Sequence, residues 1–495
     1  MATEPQICFS PSAAWLQAPE DRARALSWFP AWLLFGAQSV NRLLSRPVDI
    51  ASLAAFRIMF GLLMAASMVR FMAKGWVQQL YLAPAFHFSY PGFEWIRPWP
   101  GALMYAHFAF LTLFAIGIAL GLFYRLCAVL FFLGFTYIEL LDQTAYLNHY
   151  YLITLLSGLL IFLPANRAWS FDARRNPRIR ADNAPAWTLN ILRFQIAVVY
   201  VFAGLAKFNA DWLFHAQPLR IWLAARSDLP FIGHWLDQAW VAYAASWIGA
   251  AFDSFIIFFL VQPRTRRLAY AALIIFHVAT WILFNIGMFP WIMILAATVF
   301  FPPDWPRSWV ARLLSPPRSL TPRFSGVHPA GSKKETVSTV SPLPNIFNCK
   351  PYPFLFVLGA YLAIQVILPL RSYCISQPSA WTCSGFNCAW RVMIAEKTGY
   401  AEFFANNPAT GERWRVSVKN YISPRQEVMM AQDPYLIRAM ARRLASDLTH
   451  QLGVPVGVTA NAFATLNGRP SQQIINPNFD LAGAVTSGWI LPLKE

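Results

Sequence analysis

The sequence predicts a mainly α-helical protein, a polytopic membrane helix bundle of about nine spans with a small α+β extracytoplasmic domain at its C-terminal end. Three observations predict this fold class. The 495 residues are 57% hydrophobic and only 13% charged, whereas soluble domains carry about 25% charged residues. Apolar stretches suited to membrane helices recur along most of the chain. After residue 371 they give way to alternating runs and turn signals.

The candidate spans divide the chain into five parts. Residues 1–50 are expected to form a cytoplasmic N-terminus with an amphipathic interfacial stretch at 28–44. The other parts are a membrane bundle with the candidate site at 51–302, a cytoplasmic linker at 303–353, a last span at 354–370 and the extracytoplasmic domain at 371–495. The predicted spans are 51–70, 103–122, 126–141, 151–164, 189–206, 241–261, 268–284, 289–301 and 354–370. Those starting at Tyr151 and Phe289 are short, so counts one or two away from nine stay open.

Basic residues are distributed unevenly between the two sides of this predicted bundle. With the N-terminus inside, the inner connections contain the basic clusters at 167–180, 264–267 and 307–350, and the outer connections contain few Lys or Arg. Because cytoplasmic loops are enriched in Lys and Arg, residues 371–495 are expected outside. The same distribution accounts for the formal charge of +17, so we expect the lipid bilayer, and no nucleic acid, as a partner. A bacterial inner membrane is expected, or the endoplasmic reticulum membrane if the protein is eukaryotic.

Cysteine and histidine spacing bears on disulfides and metals. Cys374, Cys383 and Cys388 fall in the predicted outer domain. An oxidising compartment favours one disulfide between two of them, and free buried thiols are the open alternative. The histidines are scattered and form no zinc-finger spacing with cysteines, so no metal site is predicted.

Several ionisable residues lie within the predicted spans. Arg57, Arg193 and Asp253 have similar predicted depths, and an Arg–Asp pairing would lower the cost of burying each charge. We therefore predict a structural role for these three charges. His277 lies midway along its span, where it either packs as a hydrogen-bonded core residue or lines a cavity.

A second polar group is predicted near the outer face. Lys207 ends the run 203–207, and Asn148 and His149 precede the span starting at Tyr151, at the same predicted depth. A lysine at a helix end commonly extends its amine to the interface. Alternatively, a lysine desolvated in an apolar pocket can act as a base, and an Asn–His pair can hydrogen-bond a phenol or quinol oxygen.

Ordered motifs resemble those of the vitamin K-dependent γ-glutamyl carboxylase family, whose bacterial relatives contain the horizontally transferred transmembrane domain. The most specific run is 199–212, which contains Ala203-Gly204-Leu205-Ala206-Lys207. Other similar runs are 46–57, 141–144 with Asn148-His149, 192–196, 286–289, 303–306, Trp381, 390–393 and 472–477. The resemblance extends from about residue 46 to the C-terminus, with 315–345 divergent.

The resemblance implies an activity and roles for particular residues. Members of the family oxygenate reduced vitamin K to its 2,3-epoxide and use this reaction to deprotonate and carboxylate peptide glutamate. It implies that Lys207 is the base that activates the hydroquinone and that His149 and Asn148 support the same site. The implied cofactors are reduced vitamin K (phylloquinol or menaquinol), O2 and CO2, with no metal. The residues expected to bind the glutamate-containing peptide or protein are Trp381, Trp390 and Met393.

Two other functions stay open at this stage. A quinol epoxidase without protein carboxylation would keep Lys207 but release only the epoxide. A non-catalytic membrane transporter or scaffold of the same fold would use its intramembrane polar residues for transport or packing instead.

Overall fold

The computed structural model describes residues 40–284, 286–314, 351–375, 377–408, 410–483 and 488–494. The predicted interfacial stretch 28–44 lies mostly outside them, although its residues from 40 onward are helical. The predicted flexible region 315–345 also lies outside the described residues. Within the linker predicted at 303–353, Trp305–Leu314 forms a helix, and another helix begins at Pro351, while the domain bounds stay a prediction.

The described part of the chain is mostly helical. The first helices are α1 Ala51–Ala73, α2 Ala102–Leu120, α3 Tyr124–Leu140, α4 Asn148–Phe162, α5 Phe171–Arg175, α6 Trp187–Ala206, α7 Ala210–His215, α8 Leu219–Ala224 and α9 Gly233–Leu236. They are followed by α10 Ala239–Val261, α11 Arg266–Phe284, α12 Phe289–Ala296, α13 Trp305–Leu314, α14 Pro351–Leu370, α15 Ser379–Thr382, α16 Pro424–Ala431 and α17 Pro434–Leu452. The strands are β1 Pro47–Asp49, β2 Asn183–Pro185, β3 Lys397–Asn406, β4 Arg413–Val416, β5 Gly457–Leu466 and β6 Gln472–Gln473.

A helix occupies each predicted span. Within the described residues, six helices are long and apolar enough to cross a membrane: α1, α2, α6, α10, α11 and α14. The shorter apolar helices are α4 and the unit that α12 forms with the 3₁₀ turn Ala297–Phe300. The predicted membrane helix class is therefore confirmed, while the number of crossings stays a prediction.

Close helix packing in the bundle depends on glycine. At Gly61 on α1, an added Cβ would lie 2.6 Å from the backbone oxygen of Ala115 and 2.6 Å from the backbone nitrogen of Ala119 on α2. Only a residue without a Cβ allows these two backbones to approach so closely. Gly121 ends α2 at φ +62°, and an added Cβ there would collide with the Arg57 guanidinium.

The buried arginines bind carbonyl groups, which corrects the predicted Arg–Asp pairing. Arg57 donates to the carbonyl oxygens of Trp169 at 2.7 Å and Ile118 at 3.3 Å. Arg193 donates to the carbonyl oxygen of Val299 at 2.7 Å. The last carbonyls of a helix have no partner within it, and a guanidinium carries several donors that can satisfy them. Asp253 forms an ion pair with a different residue, which is described with the candidate site.

The C-terminal domain is a four-stranded antiparallel sheet in the order β4-β3-β5-β6. β3 and β5 pair along their whole length, from Lys397 opposite Leu466 to Asn406 opposite Gly457. Helices α16 and α17 pack against this sheet and bury the apolar stripe of α17. Ser423 and Gln426 form a capping box that starts α16, and so satisfy two backbone donors at its first turn. The small sheet predicted in this region is confirmed.

An ion pair joins the C-terminal domain to the short helix α7 beside the bundle. Arg469 contacts both carboxylate oxygens of Asp211 at 2.7 Å, and Asn467 donates to the same carboxylate at 2.8 Å. Burial alone would raise the pKa of Asp211, but hydrogen bonds from Arg469 and Asn467 outweigh it, so the pKa lies below its ordinary value of 3.8. Bidentate, charge-assisted hydrogen bonds are among the stronger polar contacts.

We expect Arg469→Met to lower the free energy of unfolding at pH 7 by about 1–2 kcal/mol, because it removes a half-buried bidentate pair. A carboxyl whose pKa is lower in the folded state stabilises the fold above the ordinary value of 3.8 and loses that contribution as the pH falls through the native value. The loss should therefore shrink below pH 3.8. Thermal unfolding of the wild type and the variant, at pH 7 and below pH 3.8, measures this loss of stability. Lys419→Met, at an exposed position, is the control. If the stability lost in Arg469→Met did not vary with pH, the ion pair with Asp211 would not be its cause.

Candidate active site

Lys207 is buried at the C-terminal end of α6, with 4% of its surface exposed. Its Nζ donates to Asp253 Oδ2 at 2.7 Å, to the Ala203 carbonyl at 3.2 Å and to the Val392 carbonyl at 3.4 Å. The amine also lies 5.1 Å from the ring centroid of Trp212. The amine thus has three acceptors within hydrogen-bond distance, and it does not extend to an interface.

The cation that pairs with Asp253 is Lys207, and not an arginine. Asp253 lies in the interior of α10, and Gly204 brings α6 against this part of α10. A Cβ on Gly204 would lie 2.9 Å from the backbone nitrogen of Ser254, next to Asp253. The predicted pairing of Asp253 with an arginine is therefore wrong, and its structural role stays a prediction.

Lys207 and Asp253 line a cavity of about 270 Å³ between α6, α10, α11 and α12. Most of the wall is aliphatic or aromatic. The apolar wall residues include Val199, Leu219, Leu223, Ile248, Phe276, Leu283, Phe284, Ile286, Phe289 and Met293. Cavities lined mainly by apolar side chains with a few polar groups are typical of small-molecule sites.

A second polar pair in the cavity wall is formed by Tyr200 and His277. The Tyr200 hydroxyl and His277 Nε2 are 2.7 Å apart, and each residue is 2% exposed. The other ring nitrogen, Nδ1, has no hydrogen-bond partner among the described residues. Sequence reasoning left His277 between two roles and did not select Tyr200. The signal for Tyr200 was its spacing of two helical turns from Lys207.

Residues 383–393 of the C-terminal domain complete the site in a strained conformation. Cys383, Cys388, Trp390 and Met393 all have φ between 54° and 60°, a region that residues other than glycine rarely adopt. Such strain persists only where surrounding contacts hold it, and it is frequent at functional sites. Val392 and Met393 line the cavity. This position agrees with the contact predicted for Met393, whose role in substrate binding stays a prediction.

Polar contacts from the bundle hold residues 383–393 in place. The backbone N–H of Cys388 donates to the Tyr146 hydroxyl at 2.7 Å. Arg371 donates to the Asn387 carbonyl at 2.6 Å, and Asn148 Nδ2 lies 3.5 Å from the Arg391 carbonyl. Asn148 and Lys207 therefore contact consecutive carbonyls of the same segment, those of Arg391 and Val392.

His149 lies behind the cavity wall. Its ring centroid is 6.2 Å from that of Phe289, and Phe289 lines the cavity. A Cβ built on Gly287 would be 4.0 Å from His149 Nε2 and 4.0 Å from an Arg70 guanidinium nitrogen, so these two groups converge at Gly287. Arg70 was not selected from the sequence, because its place after an apolar stretch is also typical of a simple interfacial anchor.

The two predicted tryptophans have interior positions. Trp381 is fully buried, and its indole N–H donates to the Leu491 carbonyl at 2.8 Å. Trp390 is also fully buried, with its ring centroid 5.0 Å from that of Tyr151. Neither ring lines the cavity. Both rings pack in the interior, and their role in substrate binding stays a prediction.

A larger groove of about 1230 Å³ lies between the chain after α1 and the C-terminal domain. Residues 383–385 and 387 line this groove, whereas 392 and 393 line the cavity. The basic residues on its wall are Arg97, Arg371, Arg438, Arg442 and Arg443, against the acidic residues Glu94 and Asp433. One strained segment thus borders both a basic groove and an apolar cavity.

The outer cysteines are free thiols in the structure, which resolves the open alternative against a disulfide. Burial raises the pKa of Cys383 to about 12 and that of Cys388 to about 11, so both stay protonated. Across the ranges that the structure describes, no three His, Cys, Asp or Glu side chains are grouped as metal ligands.

Membrane-length helices and an added α+β domain indicate an integral membrane protein, whose buried lysine–carboxylate pair lies in the wall of an apolar cavity. The HTTM domain family matches residues 45–305, and the Vitamin K-dependent gamma-carboxylase, lumenal domain, family matches residues 350–495. The chain therefore belongs to the vitamin K-dependent gamma-carboxylase family. The lumenal domain match indicates an extracytoplasmic C-terminal part. No solved structure matches the chain.

Proposed function

We propose that this protein is a vitamin K-dependent γ-glutamyl carboxylase-like enzyme that oxygenates a reduced naphthoquinone to its 2,3-epoxide and couples this reaction to carboxylation of glutamate. The observation that carries the proposal is the buried Lys207–Asp253 pair in the wall of an apolar cavity. A proton taken up at Lys207 Nζ would be held by the Asp253 carboxylate, which lies 2.7 Å away. Lys207 is thereby suited to general-base work in a site that excludes water.

The residues of the cavity fit a reduced naphthoquinone. Aromatic and aliphatic side chains such as Phe276, Phe289 and Met293 suit a flat apolar ring system. Polar groups are few, and the unpartnered Nδ1 of His277 offers one unused hydrogen-bonding function in a buried place. When bound, reduced vitamin K supplies the reducing equivalents that, with O2, drive epoxide formation and removal of the glutamate γ-proton before CO2 is added.

The basic groove supports a polypeptide substrate that carries glutamate. Arg438, Arg442 and Arg443 lie on α17 and line the same groove as residues 383–385 and 387. Arginine binds carboxylates through its planar set of donors. The segment 383–393 leads from this groove to the cavity, so it can place a glutamate side chain near the quinol site. Asn148, through the Arg391 carbonyl, would position this segment.

The full chain in detergent, given vitamin K hydroquinone, labelled bicarbonate and a glutamyl peptide, tests the proposal. We expect both epoxide and acid-stable label in the peptide. Epoxide without label would favour the quinol epoxidase, because the groove would then lack a carboxylation substrate. Absence of both products would favour a non-catalytic transporter or scaffold and contradict the enzyme assignment.

We expect Arg442→Glu to raise the KM for the glutamyl peptide severalfold and to leave the KM for the quinol unchanged. Arg442 is on the wall of the groove, so a glutamate at this position would repel the carboxylates of the peptide. Lys419→Glu is the matched control, since this exposed lysine makes the same charge change in the same domain outside the groove. Equal effects of the two variants would show that the groove does not bind the peptide.

A further inference from the structure

Tyr200 and His277 form a polar pair in the cavity that the proposed chemistry at Lys207 does not use. They come from different helices, α6 and α11, and their side chains meet at 2.7 Å. Thr280, another polar residue of this wall, donates its hydroxyl to the His277 carbonyl at 3.0 Å. The wall around the pair is aromatic, with Phe276 and Phe289 close to the imidazole.

Counting the protons of this pair shows that one donor is always left over. A neutral imidazole carries one N–H, and a tyrosine carries one O–H. Their mutual hydrogen bond uses one of these two donors, whichever way it runs. If Tyr200 donates, the N–H at His277 Nδ1 stays unused. If His277 Nε2 donates, the Tyr200 hydroxyl hydrogen stays unused.

A buried donor without a partner is unfavourable and uncommon. Nδ1 of His277 has no partner among the described residues, although the ring is 2% exposed. Within the described ranges, the Tyr200 hydroxyl has no hydrogen-bond partner besides His277. A ligand oxygen in the cavity would satisfy the remaining donor in either arrangement.

The spacing along α6 fits a ligand with two oxygens across one ring. Tyr200 precedes Lys207 by seven residues, which places both on one helix face, about 10 Å apart along the axis. The Lys207 side chain extends toward the start of α6, because its Nζ bonds the Ala203 carbonyl. Aromatic side chains on helices commonly extend in the same direction, so we take this offset to be kept at the polar ends. Two hydrogen bonds of about 2.8 Å leave about 5 Å between the ligand oxygens, the scale of one six-membered ring.

We propose that Tyr200 and His277 together donate a hydrogen bond to the second ring oxygen of the quinol, while Lys207 contacts the first. This inference rests on the proposed function, because it assumes that a 1,4-dihydroxynaphthalene occupies the cavity. The pair acts as a positioning element that fixes which oxygen faces the base. It also gives the site a preference for para-diols over aromatic alcohols with one oxygen.

Binding without turnover tests this inference. The full chain in detergent, kept free of O2, is titrated with 2-methyl-1,4-dihydroxynaphthalene and with 2-methyl-1-naphthol, and tryptophan fluorescence reports occupancy. We expect the wild type to bind the diol about tenfold more tightly than the mono-ol. Tyr200→Phe/His277→Phe should bring the two affinities together by weakening diol binding, with mono-ol binding unchanged.

The single variants and one control separate the possible outcomes. Tyr200→Phe and His277→Phe each keep one donor without its orienting partner, so their preferences should fall between those of the wild type and the double variant. Thr280→Val should keep the full preference, because its hydroxyl is already used by the His277 carbonyl. A preference that survives in the double variant overturns this inference and leaves the proposed function standing. Failure of the wild type to bind either compound overturns both.

Discussion

Lys207→Ala is expected to lower the rate of epoxide formation by about 100- to 10,000-fold, the usual contribution of a positioned general base. Nζ is the only basic group in the described wall of the cavity that has a carboxylate within hydrogen-bond distance. The rate is measured by epoxide release from vitamin K hydroquinone under O2. Under the scaffold alternative there would be no epoxide formation to lose.

This variant also leaves Asp253 buried without its cation. Removing one partner of a buried ion pair costs about 3–5 kcal/mol of stability, so loss of activity alone could report unfolding. Lys207→Ala/Asp253→Ala removes both charges and should recover most of the thermal stability without recovering the epoxide. If the double variant regains the activity, Lys207 is not the base.

Gly204→Val is expected to give the largest structural effect and to abolish epoxide formation with it. Even the first added carbon would lie 2.7 Å from Ser254 Oγ, 2.9 Å from its backbone nitrogen and 3.0 Å from its Cα. Backbone atoms cannot move aside as a flexible side chain can, so α6 must separate from α10. That movement would pull Lys207 away from Asp253.

The yield and the midpoint of thermal unfolding in detergent measure this effect. Gly359→Val is the matched control, because Gly359 is also on an apolar helix but an added Cβ there meets no atom within 4 Å. We expect the control to fold and to keep full activity. Equal damage from both substitutions would mean that a β-branched side chain on any apolar helix is responsible, and not the contact of α6 with α10.

Hydropathy predicted the helices well because a membrane helix is specified by its own length and composition. The nine predicted stretches and the α+β region all correspond to elements of the structure. The partner of Asp253 could not be predicted in this way. Hydropathy places each residue along its own helix, whereas the contact depends on how α6 is offset and how closely Gly204 lets it pack.

The candidate site was predicted in part. The position of Lys207 in its motif identified the amine, but not its burial against Trp212 or its bond to Val392. Trp381 and Trp390 matched a family segment, and a match does not show whether a ring faces a substrate or the interior. Positive φ angles at four residues of 383–393 have no sequence signature when the residues are not glycine.

The pair of Asp211 and Arg469 has a wider consequence. Asp211 lies four residues after Lys207 and directly before Trp212, whose ring covers the amine. The C-terminal domain supplies both Arg469 and the Val392 carbonyl. A protein truncated after residue 305 would keep the lysine but lose part of its immediate surroundings. The bundle and the C-terminal domain therefore build the surroundings of Lys207 together, and neither can be exchanged for a distant relative's without rebuilding the lysine's environment.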